Sequence, residues 1–258
     1  MPRLKSLCLL FVIFTFLTGC QTVPYTNRSQ LMLISEPDEI QLGHQAFAEV
    51  LKQERVSSNP SYNARVQRVG KRIAQAAQKP EYNWEFIVLE SKQVNAFCLP
   101  GGKVAVYTGL LKVAPSDDLL ATVISHEVAH ALARHAGERM SQDLLVQVTG
   151  AGLSAGLGGQ SELMRKGVMQ AFGLGSQVGV LLPYSRKQEE EADHIGVILM
   201  AKAGYDPRAA LDFWRKMMEA TKDQGKPPEL LSTHPSDERR LAKIEKDFLP
   251  EALQYYKR

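Results

Sequence analysis

The segment His126-Glu127-Val128-Ala129-His130 contains the residue types whose spacing most clearly indicates chemistry. Residues four apart on a helix project from the same face, so the imidazoles of His126 and His130 point in the same direction. Two imidazoles at this spacing can bind one tetrahedral zinc ion, and Glu127 lies where its carboxylate can reach a water molecule beside the metal. The alternative is a chance match, with both histidines hydrogen-bonded inside a core.

The sequence around this segment favours the metal site. Residues 119–133 (LLATVISHEVAHALA) are apolar or small on almost every face, which predicts a buried helix. Burying two imidazoles and a carboxylate without partners costs free energy, so something must compensate. His135, five residues beyond His130, is not well placed to bind the same metal.

A catalytic zinc ion needs a third protein ligand, and it must come from another part of the chain. The extended histidine motif would place a ligand at position 136, which is Ala136. Residues 185–196 (SRKQEEEADHIG) offer three consecutive glutamates. Glu189 shares a helical face with small and apolar residues, so this face can pack against another helix, and we predict that Glu189 is the third ligand. Asp193, one turn further, is predicted to accept the free ring N–H of a ligating histidine.

The two neighbouring glutamates are poorer candidates. Glu190 and Glu191 lie on faces beside His194, which are easier to leave in solvent. The alternative for the whole acidic run is a solvated helix end.

The remaining pattern predicts helices and a small number of strands. A strand is expected over 84–89, and residues 95–98 and 103–107 should form a hairpin around Leu99-Pro100-Gly101-Gly102. Residues 141–182 are apolar and glycine-rich; we expect core helices with a lid, and the alternative is a hairpin that touches a membrane. The predicted helices cover about residues 36–54, 60–78, 117–135, 185–202, 207–222 and 236–248.

The start of the chain predicts export. Arg3 and Lys5 precede an uncharged apolar run that is too short to span a bilayer, and Leu17-Thr18-Gly19-Cys20 follows. This ending resembles a bacterial lipoprotein signal, in which the cysteine is lipidated. We therefore predict a signal peptide over 1–19, lipidation of Cys20, a lipid-anchored tether over 20–35 and one domain over 36–258. The alternatives are an ordinary signal or an uncleaved anchor.

Composition and cysteine usage limit the other possibilities. The 258 residues are 44% apolar and 23% charged, with a dispersed net charge of +3, which is ordinary for a globular domain and does not indicate nucleic-acid binding. Beyond Cys8 and Cys20 only Cys98 remains, so no intramolecular disulfide is expected. Cys98 is interpreted as a small apolar residue rather than as a catalytic thiol.

Several segments together resemble a known family. They are His126-Glu127-x-x-His130, Ser185-Arg186-x-x-Glu189-x-x-Ala192-Asp193, Asn95-Ala96-Phe97, Pro100-Gly101-Gly102, Gly204-Tyr205-Asp206-Pro207, Ser232-Thr233-His234-Pro235 and Arg240. This combination is similar to the gluzincin family of the CAAX prenyl endopeptidase and the membrane protease HtpX. It is more similar still to the exported BepA-like proteases and the mitochondrial Oma-type protease, over about residues 36–248.

The resemblance implies an α+β, mainly helical, zincin-like fold with a small β-sheet or hairpin bordering a zinc cleft. It implies endopeptidase activity with one Zn²⁺, held by His126, His130 and Glu189, and with Glu127 as general base. His234 and Arg240 match the family's late motif, which suggests transition-state charge stabilisation or gating. The alternative for these two is a turn before a helix and a surface ion pair.

The resemblance also implies how a substrate binds and where the protein acts. An extended substrate would add to the hairpin as a strand, with these residues contacting it: Asn95, Ala96, Phe97, Gly101 and Gly102. With the predicted signal, we expect an endopeptidase of the bacterial cell envelope that degrades misfolded or unassembled proteins. We expect a lipid anchor in a membrane facing the periplasm, the outer more than the inner. Expected partners are polypeptides, the membrane and envelope assembly machinery, without nucleic acid.

The sequence leaves other functions open. One is a zinc-bound scaffold or chaperone of envelope assembly with little proteolysis, although a structural site would not need Glu127. Another is cleavage of prenylated peptides, which the missing membrane chamber disfavours. Because the chain ends at Arg258, we expect no helical repeat domain of the BepA type.

Overall fold

The computed structural model of this chain describes residues 20–151, 185–224, 229–234 and 238–257. The predicted signal peptide, most of the 141–182 segment with its lid and membrane alternatives, and Pro235 lie outside these residues. Within the described ranges, no helix is both long and apolar enough to cross a membrane.

An antiparallel hairpin begins the described chain. Strand β1 (Cys20–Thr22) pairs with β2 (Ser29–Leu31). Val23 and Met32 are buried against the domain, and Arg28, in the hairpin, forms ion pairs with two carboxylates of the helical core. These contacts correct the expected tether, because they pack this segment onto the domain; the lipid anchor itself stays a prediction.

Two capped helices follow, as the sequence predicts. Helix α1 (Glu36–Gln53) begins after Ser35, and α2 (Pro60–Ala77) begins after Asn59. Each capping side chain accepts a hydrogen bond from a backbone N–H of the first turn, which stabilises the helix start. Both helices are confirmed to within about one residue.

A three-stranded sheet holds the predicted hairpin. Its strands are β3 (Glu85–Leu89), β4 (Ala96–Leu99) and β5 (Lys103–Tyr107), in the order β3-β5-β4. β5 pairs parallel with β3 and antiparallel with β4, so β4 lies at an edge. Gly101 and Gly102 turn the chain between β4 and β5 with φ of +79° and +84°, a conformation that favours glycine. A short helix α3 (Thr108–Val113), which the sequence did not predict, follows β5.

Helix α4 (Asp117–Leu132) lies at the centre of the molecule. Every residue from Leu119 to its end is buried, as its all-round apolar sequence predicts. The prediction that it continues to residue 135 is wrong, because Arg134 adopts a left-handed φ of +55° and a new helix, α5 (His135–Ala151), begins there.

Helix α6 (Arg186–Lys202) crosses α4 at close range. A Cβ atom on Gly196 would lie 3.3 Å from the backbone N and Cα of His126. The two backbones therefore approach more closely than a larger residue would allow, which places the carboxylates of Glu189 and Asp193 over α4.

The C-terminal part completes a mainly helical α+β, zincin-like fold, as predicted. The helix predicted over 236–248 is in fact divided, with a π-helical turn at Ile244–Phe248 between two short α-helices. The elements here are α7 (Ala209–Gln224), α8 (Glu229–Thr233), α9 (Glu238–Lys243) and α10 (Leu249–Ala252).

Candidate metal centre and active site

Four buried side chains converge on one point. His126 and His130 come from α4, Glu189 from α6, and His234 follows α8. Each offers one ligand atom, and these atoms all lie within 4.8 Å of one another. The structure thus brings the three predicted ligands together and adds His234 to them.

The separations between these atoms fit a tetrahedral ion. His126 Nε2 lies 3.1 Å from His130 Nε2 and 3.3 Å from His234 Nδ1. Glu189 Oε1 lies 2.9 Å from His234 Nδ1 and 3.4 Å from His130 Nε2, and Glu189 Oε2 lies 3.4 Å from His126 Nε2. Bonds of about 2.0–2.1 Å would put neighbouring ligands of tetrahedral zinc about 3.3 Å apart. The residues present therefore fit zinc.

The charge of the donors also suits a cation. Oε2 of Glu189 is buried and accepts no hydrogen bond of ordinary geometry, although Arg240 Nη1 lies 2.8 Å away. Burial raises the pKa of Glu189, but the electrostatic effects of His234 and Arg240 outweigh it and hold this pKa well below its usual range. Burial lowers the pKa of His130 well below its usual value. The carboxylate of Glu189 and the neutral imidazole of His130, both forms that bind zinc, are thus favoured. Burial also lowers the pKa of His126, but its hydrogen bonds to Asp193 and Glu189 outweigh this effect and raise it.

Asp193 lies one turn after Glu189 and contacts the other side of a histidine ligand. Its Oδ1 is 3.1 Å from His126 Nδ1, the position expected of a carboxylate that orients a ligating ring. Arg240 donates two hydrogen bonds to Asp193, one of them 2.9 Å from Nη2 to Oδ1. Asp193 is thereby fixed between α4 and the C-terminal helices.

Arg240 is buried, with an exposed fraction of only 4%. Its guanidinium carbon lies 4.2 Å from the ring centroid of Trp214, and its nitrogens contact Glu189 and Asp193. The alternative of a surface ion pair is therefore wrong. A buried guanidinium here stabilises the two carboxylates that face the histidines.

Glu127 lies beside the four donors. Its buried Oε1 has no hydrogen-bond partner and lies 3.3 Å from His234 Nε2. Burial raises the pKa of Glu127 to about 7, against the lowering effects of His234 and of a hydrogen bond from the backbone of Cys98. A carboxyl group with such a pKa can take up and release a proton near neutral pH.

Three of the predicted substrate-binding residues lie at the edge strand β4, next to Glu127. Asn95 precedes the strand, and Ala96 and Phe97 are its first two residues. Asn95 Oδ1 accepts a hydrogen bond of 2.9 Å from the backbone N–H of Ala96, and Phe97 packs edge-on against Tyr107. The sequence did not predict the backbone contact of Cys98 with Glu127. The half-buried thiol of Cys98 has a pKa raised well above its ordinary value by desolvation, which disfavours a catalytic thiol.

The other two predicted substrate residues pack elsewhere. A Cβ on Gly101 would lie 2.9 Å from His44, and one on Gly102 would lie 2.8 Å from Trp84. Their identity therefore follows from the turn and its packing, and their contact with a substrate stays a prediction.

Two polar residues near the site have partners that the sequence did not reveal. Glu191, which the helical periodicity places in solvent, is only 6% exposed, because Arg28 and His135 both bond to it. His135 Nδ1 lies 2.8 Å from His130 Nδ1, on the side away from the other donors. The sequence signal for this contact was the position of His135, a histidine only five residues after His130. Nothing local to the sequence connects either residue with Arg28.

Comparison with known proteins gives consistent matches. Residues 60–247 match Peptidase family M48. The chain is 38% identical over 242 residues to the mitochondrial metalloendopeptidase OMA1 of Schizosaccharomyces pombe, covering 92% of this chain and 68% of that protein. It is 33% identical to the mitochondrial metalloendopeptidase OMA1 of Bos taurus, covering 97% of this chain and 50% of that protein.

A bacterial relative is the beta-barrel assembly-enhancing protease of Escherichia coli (strain K12). It is 27% identical over 235 residues, covering 88% of this chain and 47% of that protein. The chain thus spans about half the length of the bovine and bacterial relatives.

The zincin-like fold, the HExxH helix and the glutamate on a second helix define the gluzincin class of metalloendopeptidases. Within that class, the chain belongs to peptidase family M48.

Proposed function

We propose that this metalloendopeptidase holds one zinc ion through His126, His130 and Glu189 and hydrolyses peptide bonds in polypeptides of the bacterial cell envelope. The observation that carries the proposal is the convergence of buried donors at tetrahedral separations, with the partnerless carboxylate oxygen of Glu127 beside them. A purely structural metal site would not need that carboxylate.

The chain's own residues provide the proton transfers. Zinc, when bound, supplies the positive charge that acidifies water and polarises a peptide carbonyl. Glu127 would remove a proton from the attacking water and return it to the leaving amine, since its carboxylate lies beside the four donors. Arg240 and Asp193 keep Glu189 and His126 in place during these steps.

An extended substrate would bind along the edge strand β4. β4 pairs only with β5 within the described sheet, and the backbone of Cys98 reaches Glu127. A peptide added along Asn95, Ala96 and Phe97 as a further strand would therefore pass directly beside the general base.

Two observations support the location in the envelope. The chain begins with a segment typical of a lipoprotein signal ending at Cys20, and one relative is named for enhancing beta-barrel assembly. We propose that the enzyme is exported, anchored by lipid at Cys20 to a membrane facing the periplasm, and degrades misfolded or unassembled envelope proteins. The relatives named mitochondrial support the metalloendopeptidase activity and not the location in the envelope.

Replacing Glu127 with Gln tests the function. We expect Glu127→Gln to lower the cleavage rate of an unfolded polypeptide by roughly 10²–10⁴-fold, because the general base is lost. The zinc content, measured by atomic emission, should remain at one ion per chain, since Gln replaces no ligand.

The matched control is Glu190→Gln, on the same acidic run but bonded to Lys243 rather than to the donors. It should cleave at the wild-type rate. A Glu127→Gln enzyme that retains near-normal cleavage would show the mechanism to be wrong. A wild-type protein that binds zinc but never cleaves would instead favour a scaffold or chaperone.

A further inference from the structure

A line of hydrogen-bonded side chains runs from His130 away from the metal centre. His130 Nδ1 lies 2.8 Å from His135 Nδ1, and His135 Nε2 lies 3.0 Å from Glu191 Oε2. His135 has an exposed fraction of 0% and Glu191 of 6%, so no solvent competes for these contacts. The three residues come from α4, α5 and α6, and the left-handed turn at Arg134 brings His135 back against His130.

The direction of donation along this line follows from metal binding. With a metal on Nε2 of His130, its Nδ1 would carry the ring proton and donate a hydrogen bond to Nδ1 of His135. His135 must then carry its own proton on Nε2, where it donates to Glu191. Each of these ring nitrogens then has a defined role as donor, acceptor or metal ligand, and the carboxylate at the end fixes both tautomers.

The N-terminal hairpin holds this carboxylate in place. Arg28 donates a hydrogen bond of 2.8 Å from Nε to Glu191 Oε2, and the Thr26 hydroxyl donates to Glu191 Oε1. Arg28 also contacts Glu138 at 2.6 Å, so its guanidinium is fixed from two sides. These charge-assisted bonds offset the cost of burying Glu191.

We propose that His135 and Glu191 are positioning residues for the ligand His130, and that the N-terminal hairpin, through Arg28 and Thr26, is part of the support of the metal centre. This inference rests on the proposed zinc function. In this arrangement, the rings of the two histidine ligands are held in place by different partners. His126 contacts the carboxylate of Asp193 directly, whereas His130 reaches the carboxylate of Glu191 through a second imidazole.

The competing explanation is that His135 and Glu191 only satisfy each other within the core. In that case their loss would lower stability and leave the metal unaffected. The two explanations therefore differ in the zinc affinity and in the electronic spectrum of the bound metal, which a packing defect alone would not change.

The test uses the purified full chain, stripped of metal and titrated with Zn²⁺ against a chromophoric chelator. The variants are Glu191→Gln and His135→Phe, with Asp117→Asn as the control, because it removes the ion pairs with Arg65 and Arg68 at the start of α4 and leaves the line and its support intact. Absorption spectra of the Co²⁺-loaded proteins report the ligand geometry, and urea unfolding of the metal-free proteins reports stability.

We expect Glu191→Gln and His135→Phe to lower zinc affinity by about 10–100-fold, as loss of outer hydrogen bonds to metal ligands typically does, and to alter the Co²⁺ spectrum. Asp117→Asn should lose stability but keep the wild-type affinity and spectrum. Arg28→Lys, which retains a cationic donor, should bind zinc more tightly than Arg28→Gln. This pair keeps the test decisive if His135→Phe does not fold.

Wild-type zinc affinity in Glu191→Gln and no difference between the two Arg28 variants would overturn the inference. If the wild-type chain itself bound no Zn²⁺, the proposed metal function would fail as well. The two failures are therefore distinguishable.

Discussion

At the residue scale, we predict that His234 decides whether the metal centre is closed or open. Its Nδ1 lies among the other three donors, and its Nε2 lies 3.3 Å from Glu127 Oε1. Four protein donors are typical of structural zinc sites, whereas a catalytic site keeps one position for water. His234 therefore lies where a water molecule and a substrate carbonyl would bind, and we predict that it moves away before cleavage.

Replacing His234 tests which of two roles this residue has, gating of the metal centre or stabilisation of the transition-state charge. If His234 closes the site, His234→Ala should keep zinc bound through the other three ligands and raise the cleavage rate of an unstructured peptide several-fold. His194→Ala is the control, because His194 is bonded to Glu251 away from the donors. A large fall in kcat for His234→Ala, with zinc retained, would assign this residue to charge stabilisation instead.

At the scale of elements, the crossing of α4 and α6 sets the geometry of the site. Gly196 lies at a close approach of the two backbones, next to His126. This crossing holds Glu189 and Asp193 against the two histidines, although the ligands come from helices separated by more than fifty positions in the sequence.

We predict that Gly196→Val separates the two helices. The added side chain would overlap the α4 backbone, and such overpacking costs about 1–3 kcal/mol in the free energy of unfolding. Zinc affinity should fall as well, because Glu189 moves with α6. Urea unfolding and chelator competition measure both effects. Gly204→Ala is not a suitable control because its φ is positive, whereas Ala192→Gly on the same face removes bulk without forcing the helices apart. Gly196→Val with wild-type stability and affinity would contradict the close-approach argument.

The elements that the sequence predicts well are those with local signals. Ser35 and Asn59 mark helix starts, and the all-apolar residues around His126 mark a buried helix. The face shared by Glu189 and Gly196 selects a carboxylate that does lie in the donor cluster. The helix break at Arg134 has no such local signal, because an arginine rarely adopts a left-handed conformation. Arg134 is held by an ion pair of 2.7 Å with Glu39, a residue distant in the sequence.

The sequence did not predict the N-terminal hairpin, for a similar reason. Its strands have only three residues each, and its burial comes from partners distant in the sequence, chiefly the carboxylates that Arg28 contacts. Glu191 shows the consequence: helical periodicity alone predicts a solvent-exposed face, whereas the hairpin and His135 together bury this side chain.

These contacts predict a pH dependence of stability. Burial would raise the pKa of Glu138, but hydrogen bonds from Arg28 and Gln188 outweigh it and hold this pKa below its usual value of 4.5. Because the folded carboxylate binds a proton less readily than the unfolded one, its stabilisation is complete above pH 4.5 and is lost as the pH falls through the lower, folded-state pKa.

Glu138→Gln should therefore lower the free energy of unfolding by roughly 1–3 kcal/mol at neutral pH. The difference from the wild type should shrink as the pH falls below 4.5. Urea unfolding of the metal-free proteins at several pH values measures this difference. Glu245→Gln, at an exposed side chain, should show little effect at any pH. A gap that widens on acidification would contradict the ion-pair explanation.

At the scale of the whole molecule, the predicted lipid anchor lies at the start of the hairpin that packs against the domain. The hairpin begins at Cys20 and, eight residues later, contacts Glu191 through Arg28. A lipid at Cys20 would leave little free chain between the membrane and the domain. The peptidase would therefore work close to the bilayer surface, where unassembled membrane proteins are found.

The anchor is testable in the intact cell. Cys20→Ser should abolish incorporation of labelled fatty acid and move the protein from the membrane fraction to the soluble fraction or leave it unprocessed, because the thiol that would carry the lipid is gone. Cys98→Ser, which alters a half-buried side chain of β4, should retain both the label and the membrane fraction.

Since Cys20 provides no metal ligand, the released protein should still bind zinc and cleave unfolded peptides in solution. Slower cleavage of envelope proteins in the cell would then reflect lost proximity to the membrane rather than a damaged active site. A wild-type chain without label, fractionating like Cys20→Ser, would show that the signal does not lead to lipidation.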